Sequence, residues 1–263
     1  MDLGLRDRIA VVLAATAGLG KAVAASLLAE GAHVAICGRD EARLRRTQSE
    51  LGSDRPDALL AEAFDVTDSD RLVAFLTRVK STWGGVDILV TNAGGPPTGK
   101  AGAVTLESLD AGYQLTLKSA VVAICTVLPW MQERKWGRII ALTSSSVRQP
   151  IENLVMSNTM RAGLTGYLKT LSREVAKDGV LVNSICTGMF MTDRLRELVD
   201  IRARESGRTP EEEVSRLVAD IPVGRTGDPS EMGALVAFLA SDKASFLNGL
   251  AVPCDGGASR HLL

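Results

Sequence analysis

The turn TAGLG, residues 16–20, sets Gly18 and Gly20 on either side of Leu19, after the apolar run IAVVL and before a helical pattern. Backbone N–H groups at such a helix N-terminus hold a pyrophosphate, and glycine lets the ligand come close to the chain. The next apolar run, HVAIC, leads into Gly38 and Arg39. An acidic residue there would bind ribose hydroxyls, whereas an arginine offers a charge-assisted, bidentate partner for a ribose 2′-phosphate. The chemistry these residues point to is the holding of a phosphorylated dinucleotide, NADP(H) in preference to NAD(H). Asp40, next in line, reads as the cap of the following helix. A Gly-rich turn alone is a weak signal, so its weight rests on the elements around it.

Those elements follow a rhythm. IAVVL precedes a helical segment at 18–30, HVAIC one at 41–51 and LLAEAFDV one at 69–82; VDILVTNAG, a helix over 108–133, GRIIALTSS, a helix over 157–177 and VLVNSI follow. AVPCDGG reads as a seventh short strand. Strands alternating with helices, with almost no hairpin signal, predict a parallel sheet with helices on both faces. The expected fold is α/β, a single doubly wound Rossmann-type domain over 1–263. Two segments interrupt it. Residues 95–105, GPPTGKAGAVT, are too rich in Gly and Pro for a regular element and follow a strand, where such sheets bind ligands. Residues 189–228 form a charged, largely helical insertion, with Leu195, Leu198 and Val199 on one face and Val214, Leu217 and Val218 on another. It reads as a lid over the substrate.

Composition narrows the partner. A chain of 263 residues with 46% hydrophobic content can bury one large core. Thirty Lys and Arg against 31 Asp and Glu, with no basic block, leave no footprint for nucleic acid, so a small molecule is expected. Cys37, Cys125, Cys186 and Cys254 lie far apart without a CxxC pair and read as buried free thiols in a reducing compartment. Two histidines with no carboxylate cluster predict no metal. The start MDLGLRDRIAVVL is charged ahead of its apolar run, unlike a signal peptide, and no uninterrupted apolar run reaches membrane-spanning length. A cytoplasmic protein without membrane contact is expected.

Taken in order, TAGLG, FDVTD, TNAG, GRIIALTSS and DGG cover nearly the whole chain, and together they resemble the short-chain dehydrogenase/reductase family, most closely its 3-oxoacyl-acyl carrier protein reductase-like members. In that family's T-G-x-x-x-G-x-G turn, Gly18 and Gly20 match the last two glycines, while Leu13 and Ala14 stand in place of the threonine and the first glycine. Asp65, followed by Val66, matches the residue that contacts adenine, and Asn92, Ala93 and Gly94 match the N-A-G turn beside the cofactor. The resemblance thus implies a cofactor set of Gly18, Leu19, Gly20, Arg39, Asp65, Val66, Asn92, Ala93, Gly94 and Arg161. It also implies a homo-oligomer, a homotetramer, paired through the helices at 108–133 and 157–177.

The catalytic positions depart from the family. Its members use a serine at the end of the fifth strand, a tyrosine and a lysine four residues apart on the next helix, and an asparagine on the preceding helix. Counted from GRII without a gap, Ser144 matches the serine, and NLVMSNTMRAG, residues 153–163, puts Ser157 at the tyrosine and Arg161 at the lysine. Thr116 stands where the asparagine belongs, and Thr187 where a proline would precede Gly188. A tyrosine, ordinarily of pKa about 10, exchanges protons near neutral pH once a lysine lowers it, and serine is a far weaker acid. The competing reading of Ser157 is a helix cap. Arg161 keeps a positive charge and several donors, but it cannot release a proton. It would touch the nicotinamide ribose or an anionic substrate, the alternative being a surface ion pair. Tyr167 falls roughly 280° around the helix from Ser157, and Tyr113 reads as a packed aromatic. The expected activity is hydride transfer between NADP(H) and a carbonyl or alcohol, with Ser144, Ser157 and Arg161 as the catalytic set and the proton supplied by water or the substrate. The rival is a nucleotide-binding regulatory or assembly protein without dehydrogenase activity; a lyase or isomerase in the same pocket is a third reading, since fold does not fix chemistry.

Overall fold

The computed structural model describes residues 1–52 and 55–262. Seven strands form one sheet: β1 (Ile9–Val12), β2 (His33–Gly38), β3 (Leu59–Ala63), β4 (Ile88–Thr91), β5 (Gly137–Leu142), β6 (Val180–Thr187) and β7 (Ala251–Cys254). Their order is β3-β2-β1-β4-β5-β6-β7, and every pairing is parallel. β1 has β2 on one side and β4 on the other, so the chain reverses its winding there and a crevice opens at the C-terminal strand ends.

The strands carry apolar residues on both faces because both faces are covered. Val11 and Leu13 pack with α3 (Ser69–Trp83), α5 (Ser119–Glu133) and α6 (Val155–Val175), whereas Ala10 and Val12 pack with α1 (Gly18–Ala29) and α9 (Pro229–Ala240). Successive strand residues point to opposite faces, so adjacent positions of β1 feed two different cores. α2 (Glu41–Leu51) adds Leu44 to the second of them.

The helix expected over 108–133 runs unbroken from Leu106 to Glu133, but not as α-helix throughout. It opens as α4 (Leu106–Gly112), widens into a π-turn over Tyr113–Lys118 and resumes as α5. Apolar spacing cannot distinguish a π-turn from an α-turn, since both keep the chain helical and differ in one backbone hydrogen bond. α6 begins at Val155, two residues ahead of the expected start, and its last turn tightens over Ala176–Asp178. In the segment 189–228, α7 (Asp193–Ser206) and α8 (Pro210–Val218) form a helical pair, each capped by a threonine, Thr192 and Thr209. Of its expected apolar faces, Val199 is buried while Leu198 is exposed. The cysteines also divide: Cys37 and Cys186 are buried, but Cys125 is exposed and Cys254 half-buried. The apolar neighbours of Cys125 in sequence lie on other faces of α5, so local hydropathy misplaced it.

Candidate active site

The crevice begins where β1 and β4 end side by side. Ala14 follows β1 with φ 49° and Gly18 starts α1 with φ 55°. That backbone region costs an L-residue roughly 1–2 kcal/mol that glycine escapes, so Ala14 holds the turn under strain. A Cβ on Gly20 would lie 2.8 Å from both the Ala14 carbonyl oxygen and Asn92 Nδ2, which leaves room for glycine alone. Asn92 ties the turn to β4 by donating from Nδ2 to the carbonyls of Leu13 (3.2 Å) and Ala14 (3.1 Å). Ala93 and Gly94 run on from it, and a Cβ at Gly94 would meet nothing within 4 Å. Leu19 is half-buried between the two glycines.

At the edge of the crevice, Arg39 leaves β2 with an exposed guanidinium, Nη1 lying 3.5 Å from Asp65 Oδ2. Asp65 Oδ1 accepts from Thr67 N–H (2.9 Å) and Thr67 Oγ1 (2.8 Å). Partial burial opposes ionisation of Asp65, yet the Thr67 bonds and the Arg39 charge hold its carboxyl below the ordinary range. Val66 is buried beside it. Asp40 caps α2 as expected, accepting from Arg43 N–H at 2.9 Å. The carboxylate is thereby engaged with the helix, and Arg39 has only a long contact to give up to a ligand.

Ser144 leaves β5 and starts a tight turn over Ser145–Val147, its Oγ accepting from Ser146 N–H at 3.1 Å. Ser157, on the first turn of α6, is buried with its Oγ 3.4 Å from Ser146 Oγ. It does not cap the helix. Leu154 holds that position without a side-chain bond, because the helix starts earlier than the sequence pattern suggests. One turn further, Arg161 is 9% exposed. Its Nη1 donates to the Leu142 carbonyl at 2.8 Å, at the end of β5, so a surface ion pair is ruled out. Burial alone pushes its pKa down to about 10. Thr116, on the π-turn, and Thr91, at the end of β4, line a small cavity with Arg161. Thr91 was not singled out in the sequence; its signal was its place, last in a strand and next to Asn92.

The tyrosines stay outside. Tyr113 is 41% exposed instead of packed. Tyr167 lies with its Oη 3.7 Å from Cys125 Sγ, and burial with that contact raises its pKa, away from proton donation. Among the described residues, no hydrogen bond joins a tyrosine, histidine or carboxylate to Ser144, Ser146 or Ser157. The start of α7 reaches this region as well: a Cβ at Gly18 would lie 3.2 Å from Thr192 Cγ2, and one at Gly95 would lie 3.3 Å from Arg194 Nη1.

Residues 13–259 match the family model for enoyl-(acyl carrier protein) reductase. Dehydrogenase/reductase SDR family member 4 of Oryctolagus cuniculus is 30% identical to this chain over 98% of its length and 96% of the relative's own. The chain belongs to the short-chain dehydrogenase/reductase family. L-sorbose reductase from Gluconobacter frateurii, solved with NADPH and L-sorbose, superposes with a TM-score of 0.96 at 29% identity, covering 100% of both chains. A short chain oxidoreductase from Pseudomonas aeruginosa PAO1, solved with NADPH bound and described as containing an atypical catalytic center, gives a TM-score of 0.87 at 31% identity, with 97% of this chain and 99% of that one covered.

In this short-chain dehydrogenase/reductase the crevice residues fit a dinucleotide. The glycine turn keeps the space a Cβ would fill, Arg39 is exposed, and Arg161 is a buried cation with no acidic partner among the described residues. The Gly20→Ala variant tests the cradle. Its methyl would meet backbone, which cannot rotate away, so a stability loss of about 1–3 kcal/mol is expected in urea unfolding, together with weaker NADPH binding.

Proposed function

We propose that the protein is an NADP(H)-dependent oxidoreductase acting on a carbonyl or alcohol group of a small molecule, by a proton route that uses no tyrosine. The observation that carries this reading is the crevice at the β1–β4 reversal, with its glycine turn, in a fold that superposes on a reductase solved with NADPH. A regulatory nucleotide-binding protein without chemistry is the weaker reading, because the relatives are reductases.

Gly18, Leu19 and Gly20 would hold the pyrophosphate, Arg39 the ribose phosphate, Asp65 and Val66 the adenine side, and Asn92, Ala93, Gly94 and Arg161 the nicotinamide end. Bound NADPH supplies a hydride. Ser144 orients the substrate oxygen by donating a hydrogen bond, and Ser157 holds Ser146 in place beside it. Arg161 stabilises negative charge that develops on that oxygen, since a guanidinium aimed into a dry site needs no reorganisation when the charge appears. Because none of these groups is a competent acid near neutral pH, the proton comes from water or from the substrate. α7 and α8 act as the lid, with Thr192 over the glycine turn and Arg194 against the loop at Gly95. Localisation in the cytoplasm belongs to the same reading.

The assembly we infer is a homotetramer. The π-turn, α5 and α6 leave Leu117, Val122, Leu128 and Tyr167 only partly covered, and a second copy laid on this face would bury them. Light scattering at micromolar concentration is expected to give four times the chain mass; a monomer would remove this part of the proposal.

Charge reversal at Arg39 tests the cofactor. Arg39→Asp places a like charge against the 2′-phosphate, so NADPH affinity is expected to fall at least tenfold relative to NADH in a fluorescence titration. Unchanged discrimination would take Arg39 out of the site. The catalytic departure is tested by restoring the family pair. Ser157→Tyr with Arg161→Lys sets a phenol and an ammonium four residues apart on one helical face. Single-turnover NADPH oxidation with a panel of simple ketones is expected to speed up in the double variant. A folded, NADPH-binding double variant with no gain would show that the rest of the pocket does not support carbonyl reduction.

A further inference from the structure

A second cavity, of ≈ 490 Å³, opens between α7 and α8 and shares no lining residue with the crevice. Its walls come from one sequence spacing used twice. On α7, Arg202, Glu205 and Ser206 stand at i, i+3 and i+4; on α8, Glu213, Arg216 and Leu217 repeat that spacing. Residues so spaced share one face of a helix. The two faces are turned toward each other by Gly207, whose φ of 69° ends α7 in the left-handed region, and by Thr209, whose capping box with Glu212 starts α8 directly afterwards. Arg202 lies about 15 Å along α7 from Thr192, the end that reaches the glycine turn.

The buried residue of this wall is a carboxylate that is already paired. Glu213 is 6% exposed, and its Oε1 accepts from Arg208 Nη1 at 2.7 Å and from Ser206 Oγ at 3.0 Å. The Arg208 bond above all, then the Ser206 bond and the charges of Arg208 and Arg216, hold its carboxyl below the ordinary range against the opposing effect of burial. Glu213 is therefore ionised at neutral pH, with Arg208 as its counter-charge. Three arginines and two glutamates line the cavity. Once Arg208 and Glu213 are paired off, two guanidiniums, Arg202 and Arg216, face one carboxylate, Glu205. Among the described residues neither of these guanidiniums makes an ion pair or a hydrogen bond.

We propose that this cavity binds a small hydroxylated molecule carrying a phosphate monoester, of the sugar phosphate class. Arg202 and Arg216 hold the phosphate: a guanidinium offers paired N–H donors that match two phosphate oxygens, and the phosphate's negative charge answers the two cations. The rest of the wall selects what the phosphate is attached to. An ionised glutamate such as Glu205 only accepts, Ser206 Oγ keeps acceptor capacity while it donates to Glu213, and Leu217 is the one apolar lining residue. Such a wall suits hydroxyl groups and gives an acyl chain or an aromatic ring little to pack on. The volume falls within the ~300–1,000 Å³ of small-molecule sites and leaves room for a body beyond the phosphate. The assignment is independent of the oxidoreductase reading, because it uses none of the cofactor or catalytic residues named there and its test reads no activity.

Isothermal titration calorimetry of the full chain with glucose 6-phosphate and with ribose 5-phosphate, at fixed ionic strength, gives the measurement. Saturable binding of at least one of the two is expected in the wild type. Arg202→Gln combined with Arg216→Gln should weaken it at least tenfold, with the melting midpoint unchanged because both side chains are exposed. Arg39→Asp should bind as the wild type does, a comparison that separates this cavity from the crevice, where Arg39 also suits a phosphate. Inorganic phosphate should bind at least tenfold more weakly than the sugar phosphate, and glucose or ribose alone should give no heat of binding at the same concentration. No binding of either sugar phosphate at millimolar concentration would overturn the proposal. So would undiminished binding in the double variant, loss of binding in Arg39→Asp, or equal affinity for inorganic phosphate, which would mean an adventitious ion only.

Discussion

All seven strands run the same way, so each one delivers its C-terminal end to a single edge of the sheet. Wherever neighbouring strands are linked by helices on opposite faces, that edge has a gap that no connection crosses. Here the gap lies between β1 and β4, and the rest of the molecule is arranged around it. The glycine turn lies on one lip and Asn92 on the other, with two hydrogen bonds from the asparagine closing the distance. β5 supplies Ser144 and, through the Leu142 carbonyl, the anchor for Arg161.

What sets this member apart is the balance of charge and acidity at that edge. Where the resemblance places a tyrosine–lysine pair, this chain carries the hydroxyl of Ser157 and the permanent cation of Arg161. In the proposed reading the replacement keeps the capacity to polarise an oxygen and removes the side chain that would give it a proton. Arg161 can remain because its position is held from both sides: α6 fixes its backbone, and the Leu142 carbonyl fixes its guanidinium. The π-turn completes the arrangement by carrying Thr116, in place of an asparagine, to the same cavity with its hydroxyl unbound.

The fold was legible in the sequence because it rests on alternation. Short β-branched runs between helix-period segments leave few options beyond a parallel sheet, and the strands fall where IAVVL, HVAIC, VDILV, GRIIAL and VLVNSI predict them. The meeting of Gly20 and Asn92 across the gap agrees with the order of their motifs in the chain, and their part in holding a cofactor remains a proposal. Less was visible where one hydrogen bond decides the outcome. The start of α6 at Val155, ahead of Ser157, removed the competing reading of that serine as a cap and left its hydroxyl buried. The exposure of Cys125 and Tyr113 depends on which way a helix is rotated, and the π-turn changes that rotation midway along the element.

Sequence alone therefore determined the architecture and named the residues, Ser157 and Arg161, that stand where the resemblance expects a catalytic pair, because periodicity, turn chemistry and ungapped spacing are properties of the chain itself. Tertiary structure decided what those replacements face. Ser157 meets Ser146, a residue eleven positions away across a turn, and Arg161 meets a strand-end carbonyl nineteen positions back. Thr91 and Arg161 come from different elements and share one cavity only after the sheet and α6 are packed. The physical reason is range: local propensity acts over a few residues, whereas burial of a charge and pairing of a hydroxyl depend on neighbours that the fold alone brings together.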